Sequence, residues 1–235
     1  MSFYEKYHRH ILLPEIGEEG QKKLQNASVL LVGVGGLGSA IALYLAAAGI
    51  GRLGIIDPDV VSLSNLQRQV LYTQDEVGLS KTACAKRRLQ ALNPDLQVDE
   101  YPFLFDAENA KKIAESYHIV IDGCDNFAAR FLMNDTCIAL NKPYIFGSIH
   151  QFHGQVSVFN YSGGPTYRDL YPDEKSLTAS PAKVQGVLGS VPGIIGCIQA
   201  SEAIKIITGA GEILSGKLFI MNMLTMQTQI LIIEN

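Results

Sequence analysis

Glycines at positions 33, 35, 36 and 38 interrupt the apolar run "VLLVGVGGLG", and the text that follows, "SAIALYLAAAG", has the composition of a helix. Such a turn can approach an anion closely. Glycine tolerates positive φ and has no Cβ, and the first turn of the next helix presents unpaired N–H groups at its positive dipole end. The spacing Gly33-x-Gly35-x-x-Gly38 fits a dinucleotide fingerprint, and Asp57, 19 residues after Gly38, closes the next apolar run where a carboxylate can hold ribose hydroxyls. NAD is the first ligand this pattern suggests, with a plain packing turn as the alternative. The stretch after Asp57, "DPDVVSLSNLQRQ", speaks against NAD, because it offers Asn65 and Arg68, and "GLSK" adds Lys81. A guanidinium suits two-point contact with phosphate, and an ammonium at a helix start adds a compact charge. Either cation alone reads as a solvated surface residue; with the glycine loop and Asp57 upstream, both read as phosphate ligands. A second cluster, "VIDGCDNFAAR", delivers Asp122, Asp125, Asn126 and Arg130 at the end of an expected buried strand, the edge at which open α/β sheets bind ligands. Asp125, just before the helix, is the candidate magnesium ligand, whereas Asp122 can cap a turn and Arg130 can pair along its own helix.

The elements that must position these residues alternate. A short amphipathic helix over 15–25 leads into the first strand. A strand at 51–57, a helix at 80–93 with Ser80 as N-cap, and a strand at 96–103 follow. Then come a helix over 106–117, a strand at 118–125, a helix over 126–141 and a strand at 142–149. This rhythm predicts a Rossmann-like, doubly wound, mainly parallel α/β sheet. After about residue 150 the strands at 154–160, 217–223 and 227–234 surround one helix at about 189–208 and extend the sheet antiparallel. The chain reads as one domain over 1–235, with a nucleotide-binding part over about 27–150 and a sheet extension with a long loop over about 151–235. The Gly-, Pro- and Ser-rich stretch 161–186 is a loop of a length that usually carries function or moves.

Composition sets the outer limits. The 235 residues are 47% hydrophobic and 18% charged, ordinary for a soluble globular protein, and a net charge of −4 gives no general attraction to nucleic acid or anionic membrane. Residues 24–51 carry no charge and are long enough to span a bilayer, but the glycine cluster would leave unsatisfied backbone in lipid, so a buried strand and helix are expected instead. The polar, charged N-terminus lacks an apolar signal core, and a cytoplasmic protein is expected. Four cysteines (84, 124, 137 and 197) include no C-x-x-C pair and read mostly as small core residues. The His150-x-x-His153 pair reads as structural.

Taken together, "YHRHILLPEIGEEGQKKL", "VLLVGVGGLGS", "LAAAGIGRLGIIDPDVVSLSNLQRQ", "VGLSK", "DGCDN", "HGQVSVF" and "GIIGCIQASEAIK" resemble the ubiquitin-activating-enzyme-like adenylyltransferases of the ThiF/MoeB/HesA family over nearly the whole chain. The resemblance implies ATP as the nucleotide. The C-terminal Gly-Gly carboxylate of a ubiquitin-like (β-grasp) sulfur-carrier protein would attack its α-phosphate, giving an acyl adenylate and pyrophosphate. By motif, Gly36 would lie in the phosphate loop and Asp57 would hold ribose. Ser64, Asn65, Arg68 and Lys81 would contact nucleotide or phosphates, and Asp125 would bind magnesium with Asn126 beside it. Arg9 matches the arginine that reaches the triphosphate of the other subunit in a homodimer. A ThiS-like carrier of thiamine synthesis is favoured and a MoaD-like carrier of molybdopterin synthesis comes next. Another carrier or a peptide natural product is the alternative substrate, and an NAD-dependent oxidoreductase is the remote one. Two departures stand out. Thr166 and Asp169 occupy the place of a zinc-binding pair, so zinc is not expected, and Ala182 stands about where relatives carry a cysteine for a covalent carrier link.

Overall fold

β1 (Ser28–Val32) is apolar after its first residue and buried at every position, the signature of a parallel strand covered on both faces. It is joined by β2 (Arg52–Ile56), β3 (Gln97–Tyr101), β4 (Ile119–Asp122) and β5 (Tyr144–His150), then by β6 (His153–Phe159), β7 (Lys217–Asn222) and β8 (Gln227–Ile232). The computed structural model describes residues 3–179 and 186–234. Its eight strands form one sheet in the order β3-β2-β1-β4-β5-β6-β7-β8. Strands β3 to β5 run parallel and β6 to β8 antiparallel, which is the doubly wound sheet with an antiparallel extension that the strand–helix rhythm predicts. His150 and His153 face each other across the β5–β6 hairpin and are both exposed. All six residues of β8, the edge strand, are exposed.

The helices are α1 (Phe3–Ile11), α2 (Gly17–Asn26), α3 (Gly36–Ala48), α4 (Lys81–Leu92), α5 (Ala110–Ala114), α6 (Phe127–Leu140), α7 (Tyr167–Leu170), α8 (Glu174–Thr178) and α9 (Ser190–Thr208). α4 begins as expected, with the Ser80 hydroxyl accepting from the Ala83 N–H at 3.5 Å. α9 is long and apolar enough to cross a bilayer, yet half of it is buried in the fold, where Gln199 and Glu202 are inward-facing polar residues. It packs chiefly on α3 and β5, with α2 and β6 next to it to an equal extent.

Three segments differ from the expectation. α1 was not expected; its buried ring, Tyr7, lies where a Cβ on Gly49 would stand, at 2.6 Å, and Lys6 and His10 bond Asn93 and Gln21. Gly49 ends α3 at φ +87°, so both its backbone and its missing side chain are required there. The helix expected over 106–117 shrinks to α5, because Asp106 accepts the N–H groups of Glu108 and Asn109 and holds the preceding residues in a turn. The stretch expected to be irregular contains α7 and α8, and Arg168 on α7 bonds both Asp135 on α6 and Glu174 on α8 at 2.7 and 2.8 Å. At the start of α7, Thr166 N and Oγ1 both donate to Asp169 Oδ2, at 2.6 and 2.8 Å. A local capping box thus joins these two residues.

Candidate active site

The site begins where two turns meet. Gly33 ends β1 at φ +92°, and a Cβ there would stand 2.6 Å from the carbonyl oxygen of Gly123, after β4. A Cβ on Gly123 or on Gly38 would in turn meet the Gly33 oxygen, at 2.1 and 2.2 Å. Only bare backbones fit, so the turns after β1 and β4 are pressed together at the C-terminal edge of the sheet. α3 starts here from Gly35 with no side-chain cap, which leaves the N–H groups of its first turn free for an anion.

Asp57, at the end of β2, is 6% exposed and bonds backbone on both sides. Its Oδ2 accepts from Val34 N at 2.8 Å and its Oδ1 from Asp59 N at 2.9 Å. The carboxylate therefore fixes the glycine loop and the start of the segment that folds over it. Lys81, the first residue of α4, is equally buried, 2.8 Å from Asp59 Oδ2 and 3.8 Å from Asp57 Oδ1. A buried ammonium facing two carboxylates is a charge held ready beside the loop. Leu63–Asn65 forms a short 3-10 turn that carries Ser64 and Asn65. The Asn65 carbonyl accepts from the N–H groups of Arg68 and Gln69, which directs both side chains. The Arg68 stem passes 3.6 Å from where a Gly36 Cβ would stand, and Pro192 of α9 closes the other side of that glycine at 3.1 Å. The Gln69 amide nitrogen lies 3.5 Å from the corresponding point on Gly35.

On the β4 side, Asp125 and Asn126 are both exposed. The Asn126 side chain caps α6, accepting from Ala129 N at 2.9 Å. Asp122 and Arg130 form a buried ion pair at 2.9 Å, and Arg130 also donates to the carbonyls of Cys124 and Gly147. Asp122 does cap a turn, its other oxygen accepting from Cys124 N at 2.9 Å, whereas Arg130 pairs with this strand-end carboxylate and not along its own helix. Burial, followed by the Asp122 charge, pushes the Cys124 thiol well above its ordinary pKa. Cys84 and Cys137 are buried, and burial raises the Cys137 thiol to about 12. None of these three thiols has the depressed pKa of an activated nucleophile. Among the described residues, no group of three or more His, Cys, Asp or Glu side chains could hold a metal ion. A lone exposed carboxylate suits magnesium, which keeps its waters and substrate phosphates and takes only one or two protein carboxylates.

Gly36, Asp57, Arg68 and Lys81 thus converge, with the Asp125 turn pressed against them. Arg9 does not join them. It is exposed on α1, whose Tyr7 packs under Gly49 and whose Lys6 bonds Asn93 at the end of α4, so α1 lies at the opposite edge of the sheet. Ala182 lies outside the described residues. Residues 7–235 match the model described as the ThiF family. The chain belongs to the ThiF family. A relative named "Probable molybdopterin-synthase adenylyltransferase", from Porphyra purpurea, is 47% identical over 224 residues, covering 94% of this chain and 59% of its own length. The "Sulfur carrier protein adenylyltransferase" of Thermus thermophilus is 46% identical over 222 residues, covering 92% of this chain and 82% of its own. The chain therefore spans about three fifths of the Porphyra relative. The crystal structure of E. coli MccB with ATP superposes with a TM-score of 0.83 at 26% identity, covering 92% of this chain and 66% of that one.

The motif reading missed three residues of this candidate site. Asp59, the partner of Lys81, reads as one acid in a polar turn, and Gly123 reads as an ordinary strand end. Gln69 lies inside the quoted motif but is uncharged, and nothing in its spacing sets it apart.

Proposed function

We propose that this chain catalyses ATP-dependent adenylation of the C-terminal Gly-Gly carboxylate of a ubiquitin-like sulfur carrier. The observation that carries the reading is the convergence on one uncapped helix start of Arg68, over Gly36, and Lys81, held beside Asp57. These groups suit a triphosphate better than a nicotinamide. A carboxylate attacking phosphorus needs no base, because it is already ionised near neutral pH, but it must approach an anionic centre. One carboxylate oxygen forms a bond to the α-phosphorus while the bond from that phosphorus to the bridging oxygen breaks, and pyrophosphate leaves with the electron pair. The first turn of α3, Arg68 and Lys81 offset the charge of the phosphates, Asp57 and Ser64 with Asn65 orient the nucleoside side, and the carrier supplies the nucleophile. Magnesium, held by Asp125 with Asn126 alongside, would add positive charge against the leaving phosphates.

Arg9 fits this chemistry only if a second copy of the chain brings it, so the reading includes a homodimer in which Arg9 serves the partner's triphosphate. The names of the relatives favour a sulfur carrier as substrate, and those that specify a pathway name molybdopterin and not thiamine, so a molybdopterin-type and a thiamine-type carrier both belong in the test. Carrier-dependent exchange of labelled pyrophosphate into ATP is expected with one of the two, and only while the carrier's terminal Gly-Gly is intact. Exchange absent with every Gly-Gly carrier, or unchanged when the Gly-Gly is removed, would reject the reading.

A further inference from the structure

Gln69 is 5% exposed, and its Oε1 is buried with no hydrogen-bond partner. Its Nε2 faces Gly35, the residue that starts α3, at 3.5 Å from where a Cβ would stand, and makes no hydrogen bond among the described residues. A half-turn about the last side-chain bond exchanges the two ends, so in either orientation one polar atom points inward without a partner and the other faces the loop. Burying an amide unpaired is unfavourable, and replacing it by an apolar group of the same shape should be neutral or stabilising. The neighbours explain where the missing partner belongs. Gln69 follows Arg68, whose stem lies over Gly36, and both N–H groups are held by the Asn65 carbonyl, so the two side chains are aimed at consecutive residues of the same loop.

We infer that Gln69 is a ligand of the nucleotide's phosphate chain, donating an amide N–H to a phosphate oxygen at the start of α3. The inference rests on the adenylation reading for the identity of the ligand. Arg68 and Lys81 supply charge, which any polyanion satisfies, whereas a carboxamide fixed by packing supplies direction. Binding then gives the loop-facing end of the amide, which has no partner in the nucleotide-free protein, the partner it lacks.

The decisive substitution is Gln69→Met, which keeps the length and removes the polar atoms, with Gln69→Glu alongside to place a negative charge at the same point. The full chain is melted without nucleotide and at increasing concentrations of ATP with magnesium, so that apparent affinity and intrinsic stability are read together. Q69M should melt at or above the wild-type temperature without nucleotide and need about tenfold more ATP for half of the thermal upshift, the loss expected for one hydrogen bond to a charged group. Q69E should need more ATP again. Wild-type ATP dependence in both variants would overturn the inference, as would a Q69M chain that melts well below wild type while binding ATP normally, since that is the behaviour of a structural spacer. A wild-type chain showing no ATP-dependent upshift would overturn the nucleotide reading and this inference with it, a result distinct from variants that match a responsive wild type.

Discussion

Asp125 is an exposed carboxylate with no hydrogen bond or ion pair among the described residues, so removing it costs the fold little. Asp125→Ala should nevertheless lower pyrophosphate exchange by about a hundredfold or more, because the other carboxylates of the site are already engaged, Asp122 by Arg130 and Asp57 and Asp59 by Lys81. Exchange at saturating magnesium, with the melting temperature measured in parallel, checks this; near-normal turnover would remove Asp125 from the chemistry. Charge was what the sequence made legible at this scale. Asp57, Arg68 and Lys81 stand out beside a glycine loop because charged side chains there need a reason. Gln69 has no charge, and its want of a partner is visible only once the chain has folded around it. The second role of Asp57 was equally hidden, since its bonds to Val34 N and Asp59 N depend on the loop geometry.

At the scale of elements, strands and helices with continuous apolar text were readable, β1 and α3 above all, because burial on both sides leaves no room for polar interruption. The misread elements are those held by specific contacts between side chains distant in sequence. Tyr7 of α1 packs under Gly49, and Arg168 ties α7 to Asp135 on α6 and to Glu174 on α8. The Arg168 hydrogen bond holds the Asp135 carboxyl below its ordinary pKa. A carboxyl lowered on folding stabilises the protein above its unfolded pKa, about 4, and the contribution is lost as pH falls through the lowered folded value. Asp135→Asn should therefore lower stability at neutral pH by under about 1 kcal/mol, since the pair is half exposed and screened by solvent. The difference from wild type should shrink toward zero as the pH drops below about 4. Denaturant titrations at neutral and acidic pH test this, and a deficit that persisted in acid would assign the loss to packing.

Across the whole molecule, the mainly parallel sheet and its antiparallel extension were legible in the strand–helix rhythm and its change near residue 150, whereas the order of the strands and the position of α1 relative to the site were not. That position sets the prediction for Arg9. Chains carrying Arg9→Ala and chains carrying Arg68→Ala should each be weak alone, and in the proposed homodimer a mixture should recover part of the activity, because one of the two sites would then have both arginines. No recovery after verified subunit exchange would make Arg9 structural. The contact between Gly33 and Gly123 reaches further, for it joins residues ninety positions apart through main-chain atoms alone. A side-chain clash can be relieved by trimming the neighbour, but here the neighbour is already a glycine. Selection for restored function in a Gly33→Ala strain should consequently yield true revertants and no second-site suppressor at 123. In genetic terms the two turns are one locus, able to drift in sequence around the contact but not at it.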